Sequence, residues 1–192
     1  SPAHFDGEYD YFTFEKIRMH DRNKYRFVLI YIQQQSTQPN RMAQDGFPCY
    51  YLFEKNQKIR LIPAVRKLIR ILKDEQAELI HAHNRHCIVC AVWAALFLPK
   101  IKVLAHVHSF NLVRKFKRKL FCRLLGWRID CFAGCSESTT AFLKKKLDYL
   151  LPRQSGIENH DTREQWPQKT RKSTGSKPFH TFLRPFLVFF VA

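Results

Sequence analysis

Continuous apolar runs alternate with amphipathic stretches through the middle of the chain, and their order predicts its architecture. Phe27-Val28-Leu29-Ile30-Tyr31-Ile32 is an unbroken β-favouring run. A strand covered on both faces reads this way, since neither face needs polar residues. Pro48 to Phe53 is a second short strand, reached through a loop over 33–46 that holds Pro39, Asn40 and Gly46. From Ile62 to Gln76 the apolar positions 62, 65, 68, 69 and 72 keep helical spacing. Pro63 suits the first turn of that helix, where a missing N–H costs nothing. Arg66, Lys67, Arg70 and Lys73 occupy its polar face. Tyr9, Phe12 and Ile17 give a looser helical spacing over 8–20.

Three strand-then-helix units follow. Leu79 to Ala82 leads into a helix from about 86 to 97. Ile101 to Val107 leads into a basic helix from about 112 to 125, with Gly126 as its left-handed cap. Ile129 to Ala133 leads into a helix ending near Leu147, capped by Ser136. Strands alternating with helices of this length predict an α/β fold, a doubly wound parallel sheet with helices on both faces. After Pro152 the chain turns polar and loses periodicity over 153–178, the signature of a linker. Phe186 to Val191 then reads as one more buried strand. The expected organisation is a domain over 1–150, a linker or hinge over 151–185, and over 186–192 the first strand of a truncated second domain.

Charge changes this picture. Lys and Arg outnumber Asp and Glu by 33 to 16, giving +17 with His neutral. Such an excess calls for an anionic partner: nucleic acid, a phospholipid surface or a phosphorylated substrate. The six cysteines do not follow the spacing of a small disulfide scaffold. Inside apolar runs such as Cys87-Ile-Val-Cys90 they read as buried free thiols of a reducing compartment. No stretch approaches the roughly 20 apolar residues of a membrane-spanning helix, and Ser1 opens no signal peptide. The expectation is a cytoplasmic protein, peripheral at the inner face of a membrane.

In a parallel sheet every strand-to-helix loop emerges at the carboxyl edge, where ligands bind. His81 and His83 close one strand, His106 and His108 the next, and Ser136-Glu137 the third. A zinc reading competes here, since His81, His83, His86, Cys87 and Cys90 fall within ten residues. Against it, the two cysteines share the buried face of one predicted helix, and no metal is assigned. Between Glu78 and Asp130 there is no acidic residue, and Arg114, Lys115, Lys117, Arg118 and Lys119 interleave with Phe116. A basic amphipathic helix facing anionic lipid headgroups fits this run. A non-catalytic, basic nucleic-acid-binding α/β protein shares the charge signature. No nucleic acid is expected, because no recognition-module signature accompanies the charge.

Three blocks together resemble the successive N-terminal motifs of glycosyltransferase family 4: Glu78-Leu79-Ile80-His81-Ala82-His83, Val103-Leu104-Ala105-His106-Val107-His108-Ser109 and Ala133-Gly134-Cys135-Ser136-Glu137. Ser155-Gly156-Ile157-Glu158 stands where that family has Pro-Asn-Gly-Ile-Asp, at the hinge between domains. The resemblance covers roughly residues 8–192. It implies a Rossmann-like domain, the acceptor-side half of a GT-B architecture, and an enzyme that retains anomeric configuration. The implied donor is a nucleotide sugar, and the acceptor a lipid-linked saccharide or cell-envelope glycan. No cofactor is implied. Carried over by position, His108 is the catalytic candidate, approaching the donor sugar. His81, His83 and His106 line the cleft, and Ser136-Glu137 holds a loop at a helix N-terminus that favours anionic groups. The family's Gly-rich phosphate-facing turn is reduced to Gly7, and its C-terminal donor-gripping carboxylates and cations are missing. The chain by itself is therefore expected to transfer no sugar.

Overall fold

The apolar runs that the sequence analysis assigns to strands all lie in one parallel sheet. The computed structural model describes residues 17, 25–34, 40–108, 116–150, 157–159 and 186–191. The strands are β1 (Arg26–Gln33), β2 (Cys49–Phe53), β3 (Leu79–His83), β4 (Lys102–Val107), β5 (Cys131–Gly134), β6 (Ile157–Asn159) and β7 (Phe186–Val191). They lie in the order β2-β1-β7-β3-β4-β5-β6, and every pairing is parallel. The helices are α1 (Arg41–Gln44), α2 (Leu61–Asp74), α3 (Asn84–Phe97), α4 (Phe116–Leu125) and α5 (Glu137–Leu150). The α/β parallel architecture expected from the apolar pattern is present.

Alternation along the strands divides the core in two, because successive side chains point to opposite faces. Val28, Ile30 and Ile32 of β1 join Ile80, Ala82, Val103, Ala105, Val107 and Phe132 on one face. There they meet Ala64, Val65, Leu68 and Leu72 of α2, the apolar side of α3, Cys122 of α4 and Leu143 of α5. Phe27, Leu29 and Tyr31 point the other way, onto Ile17, Met42 and Phe47. Crossover handedness explains the division. From β2 onward the connections to β3, β4, β5 and β6 all advance in one direction, so right-handed crossovers lay α2–α5 on one side. The β1-to-β2 step runs the opposite way and leaves α1 on the other side.

Phe186–Val191, set apart by the sequence reading as the start of a second domain, pairs here with β1 on one side and β3 on the other. Ile157–Asn159, within the expected linker, extends the sheet beside β5. The rest of 151–185 lies outside the described residues, as does the 8–20 helix apart from Ile17, which is helical and buried. Ile62, placed by periodicity on the apolar side of α2, is 67% exposed. Gly126 is not a left-handed cap. The described glycine with positive φ is Gly46, and Gly126 instead opens a 3-10 turn over Gly126–Arg128.

That turn aims Arg128 back beneath α3. The buried guanidinium donates to the carbonyl oxygens of Ala95 (3.0 Å), Leu98 (3.0 Å), Pro99 (3.2 Å) and Ile101 (2.6 Å). It thereby adds side-chain donors to the carbonyls that close α3, of which those of Ala95 and Leu98 also accept backbone N–H groups, and fixes the entry into β4. Asp130 continues the seam, accepting from the Val103 N–H at 2.9 Å and from Lys102 Nζ at 2.9 Å. At the opposite side of the sheet, buried Glu75 accepts from Arg26 at 2.8 Å and from the Tyr50 hydroxyl, tying β1 and β2 to the end of α2. The bond to Glu75 and burial together raise the pKa of the Tyr50 hydroxyl.

Candidate functional site

Strand register brings the histidines together. Ile80 and Ala82 belong to the helix-covered core, so His81 and His83, one residue out of phase, stand on the opposite face of β3. Val103, Ala105 and Val107 likewise face the helices, which turns His106 to the same side as His81 and His83. In the parallel pairing His81 lies beside Leu104 and His83 beside His106. His81, His83 and His106 are all buried. Their rings are in contact, with centroids 4.3 Å apart for His81–His83, 5.3 Å for His81–His106 and 4.8 Å for His83–His106.

His108 completes the group one residue beyond the end of β4. Its ring centroid lies 4.4 Å from that of His106, and its Nε2 is 3.2 Å from Nδ1 of His83. Burial holds the His108 pKa below its ordinary value, because the imidazolium would lose hydration there. The ring is therefore neutral at pH 7, with one donor and one acceptor nitrogen.

The turn after β3 is made by Asn84, whose φ of 56° is in the left-handed region that Asn tolerates. Its side-chain oxygen accepts from the His86 N–H at 3.1 Å, which fixes the start of α3. Sequence reasoning missed Asn84; an Asn directly between a strand end and a helix start was the signal available. At the next junction β5 ends in Gly134, in register with Val107, and the Cys135 N–H bonds back to the Val107 carbonyl at 3.2 Å. Ser136 caps α5 as expected, its Oγ accepting from the Thr139 N–H at 3.2 Å and lying 3.0 Å from Thr139 Oγ1. Thr140, also outside the sequence reading, donates through Oγ1 to the Ser136 carbonyl at 2.9 Å. Glu137 is exposed in the first turn of α5.

Geometry thus brings His81, His83, His106 and His108 into one cluster, while Ser136 and Glu137 sit at the neighbouring strand-to-helix junction. The five-residue set considered for zinc is divided by the sheet. Cys87 and Cys90 belong to the helix-side core, and His86 is exposed at the start of α3. Of the basic run, Arg114 and Lys115 lie outside the described residues. Lys117 and Lys119 are exposed on α4, and Arg118 lies between them in the same helix. The same helix leaves Phe116 79%, Leu120 43% and Leu124 60% exposed, one apolar stripe at four-residue spacing, followed by Trp127 at 64%. Among the described residues no helix is long and apolar enough to cross a membrane.

The model of the family described as Glycosyltransferase Family 4 matches residues 12–152. No curated protein matches the chain.

Proposed function

The chain belongs to glycosyltransferase family 4, and from that premise we propose that it forms the acceptor-side domain of a retaining enzyme of GT-B architecture. The donor is a nucleotide sugar, whose nucleotide is held by a second domain across a cleft. The acceptor is a lipid-linked saccharide or cell-envelope glycan. One observation carries this reading: within a family 4 domain, three consecutive strand-to-helix junctions present His81 and His83, His106 and His108, and Ser136-Glu137 at the carboxyl edge of a parallel sheet, where such sheets take their ligands.

His108 is the catalytic residue of this proposal. A neutral imidazole gives the donor sugar a hydrogen bond that strengthens as charge develops, without acting as a general base. His81, His83 and His106 shape the floor of the cleft. The N-terminus of α5, organised by Ser136 and carrying Glu137, orients the acceptor through its backbone N–H groups.

The surface of α4 supports a membrane placement. Exposed Phe116, Leu120, Leu124 and Trp127 beside Lys117, Lys119 and Arg123 combine the apolar and cationic halves of an interfacial helix. The protein then works at the cytoplasmic face of an anionic membrane, where a lipid-linked acceptor resides.

The test is sedimentation with anionic vesicles, with and without a polyprenyl-linked saccharide, in excess duplex DNA. Tighter binding to the doped vesicles, lost in Ser136→Ala and undisturbed by DNA, supports the assignment. Equal binding to both vesicles removes the acceptor role. Release into the DNA-bound fraction favours a nucleic-acid-binding protein instead, the reading to which the net charge of +17 also lends itself.

A further inference from the structure

Four imidazoles in contact is an unusual way to fill one face of a sheet, and its chemistry goes beyond sugar binding. His81, His83 and His106 each offer one ring nitrogen, and these three atoms lie within 4.8 Å of one another in a buried setting. The Nε2 atoms of His81 and His83 and both ring nitrogens of His106 are shut off from solvent. Every neutral imidazole has one acceptor nitrogen. Three such nitrogens this close together, drawn from residues that strand register fixes side by side, form the donor set of a small cation.

We infer that His81, His83 and His106 form a binding site for a single divalent transition-metal ion of the zinc class. Imidazole nitrogen is the preferred donor for zinc, copper and nickel, and among the described residues the group includes no carboxylate that would favour harder ions such as magnesium. A tetrahedral ion with bonds near 2 Å needs nitrogens about 3.4 Å apart, so closing from a spread of 4.8 Å takes side-chain rotation rather than backbone movement. The backbone is already set: His81 and His83 are two residues apart on one strand, and His106 is the registered neighbour of His83.

His108 has a positioning role in this site. Its Nε2 stands 3.2 Å from Nδ1 of His83. With Nδ1–H donating to His108, His83 keeps its lone pair on buried Nε2, the tautomer a ligand needs. Three protein ligands leave a fourth position on the ion for an exchangeable oxygen donor, the arrangement of an open rather than a purely structural site. The site is independent of the glycosyl-transfer proposal, because metal binding is read without sugar or lipid.

The experiment uses the tag-free chain, stripped with chelator and titrated with cobalt(II) alone and zinc(II) alone. Expected are one ion per chain, visible ligand-field bands for cobalt, and a zinc-induced rise in melting temperature that chelator reverses. His106→Gln should weaken binding by more than about 100-fold, and His108→Gln by about 10- to 100-fold as an outer-shell change. His86→Ala, on the far side of the turn, should leave affinity unchanged. X-ray absorption of the zinc-loaded, unsubstituted protein counts imidazole neighbours directly and does not depend on any variant folding. Fewer than three imidazoles, no stoichiometric binding, or equal binding by a folded His106→Gln chain would overturn the inference.

Discussion

His83 and His108 meet across two neighbouring strands, with Nδ1 of the first 3.2 Å from Nε2 of the second. The contact joins the end of β3 to the residue just past β4 and so fixes the His108 ring at the carboxyl edge. In sugar transfer by the complete two-domain enzyme, His108→Ala should lower turnover about 100-fold, since a single well-aimed hydrogen bond to a developing charge is worth roughly 3 kcal/mol. Thermal unfolding of the variant should change far less. Unaltered turnover with an intact melting profile would make His108 a bystander.

Reversing the charge of the basic helix separates surface binding from folding. Replacing Arg114, Lys115, Lys117 and Lys119 with Glu should release the protein from anionic vesicles at low ionic strength, where attraction is least screened. The circular dichroism spectrum should be retained, because Lys117 and Lys119 are exposed. Leu120→Ser with Leu124→Ser should weaken the same binding in high salt as well, where the apolar stripe dominates. Undiminished vesicle binding by both variants would reject a lipid-facing role for α4.

Arg128 is a structural test. Its guanidinium is buried and donates to four carbonyl oxygens between Ala95 and Ile101. Arg128→Ala removes all four donations at once, although the Ala95 and Leu98 carbonyls keep their backbone N–H partners, with an expected loss on the order of 3 kcal/mol. Arg128→Lys should recover only part of it, since an ammonium cannot reproduce the planar fork. Urea denaturation midpoints measure both, and a loss below about 1 kcal/mol for Ala would show that water replaces the guanidinium.

Gly134 is required by the close approach of the turn after β5 to α5. A β-carbon there would come within 2.7 Å of the Thr140 backbone nitrogen, which is held by its bond to the Ser136 carbonyl at 2.9 Å. Gly134→Ala should cost about 1–3 kcal/mol as an overpacking change and disturb the Ser136 cap. A stability equal to the parent would mean that α5 shifts freely.

Thiol reactivity should separate the cysteines. Burial raises Cys49, Cys90 and Cys122 to about 11 and lifts Cys87 well above its ordinary range. At pH 8 such a thiol is ionised in about one molecule per thousand, and the thiolate is the reactive form. Reactivity at Cys49, Cys90 and Cys122 therefore rises only as pH approaches 11. A short alkylation pulse at pH 8 should mark exposed Cys135 first, as read by mass spectrometry. Rapid labelling of Cys87 or Cys90 would show that α3 opens.

Local sequence was sufficient for much of this architecture. Phe27 to Ile32 had to be a covered strand, because no polar residue interrupts it to meet solvent. The 3.6-residue spacing of Val65, Leu68 and Leu72 had to fold as a one-sided helix, and each is buried on α2. Two-residue spacing put His81 with His83, and His106 with His108. What the sequence by itself could not determine is pairing between distant segments. A strand-like run at 186–191 reads the same at the start of another domain as between β1 and β3. Which strands it joins depends on long-range hydrogen bonds that leave no local pattern. The same holds for the histidines: register alone sets His83 beside His106, and crossover handedness alone decides which face the helices leave to them. In sequence Arg128 is one more cation in a stretch without acidic residues, and only the 3-10 turn that carries it beneath α3 makes it a buried clamp. Spacing fixes what neighbours in sequence share, and tertiary packing decides what meets across the sheet.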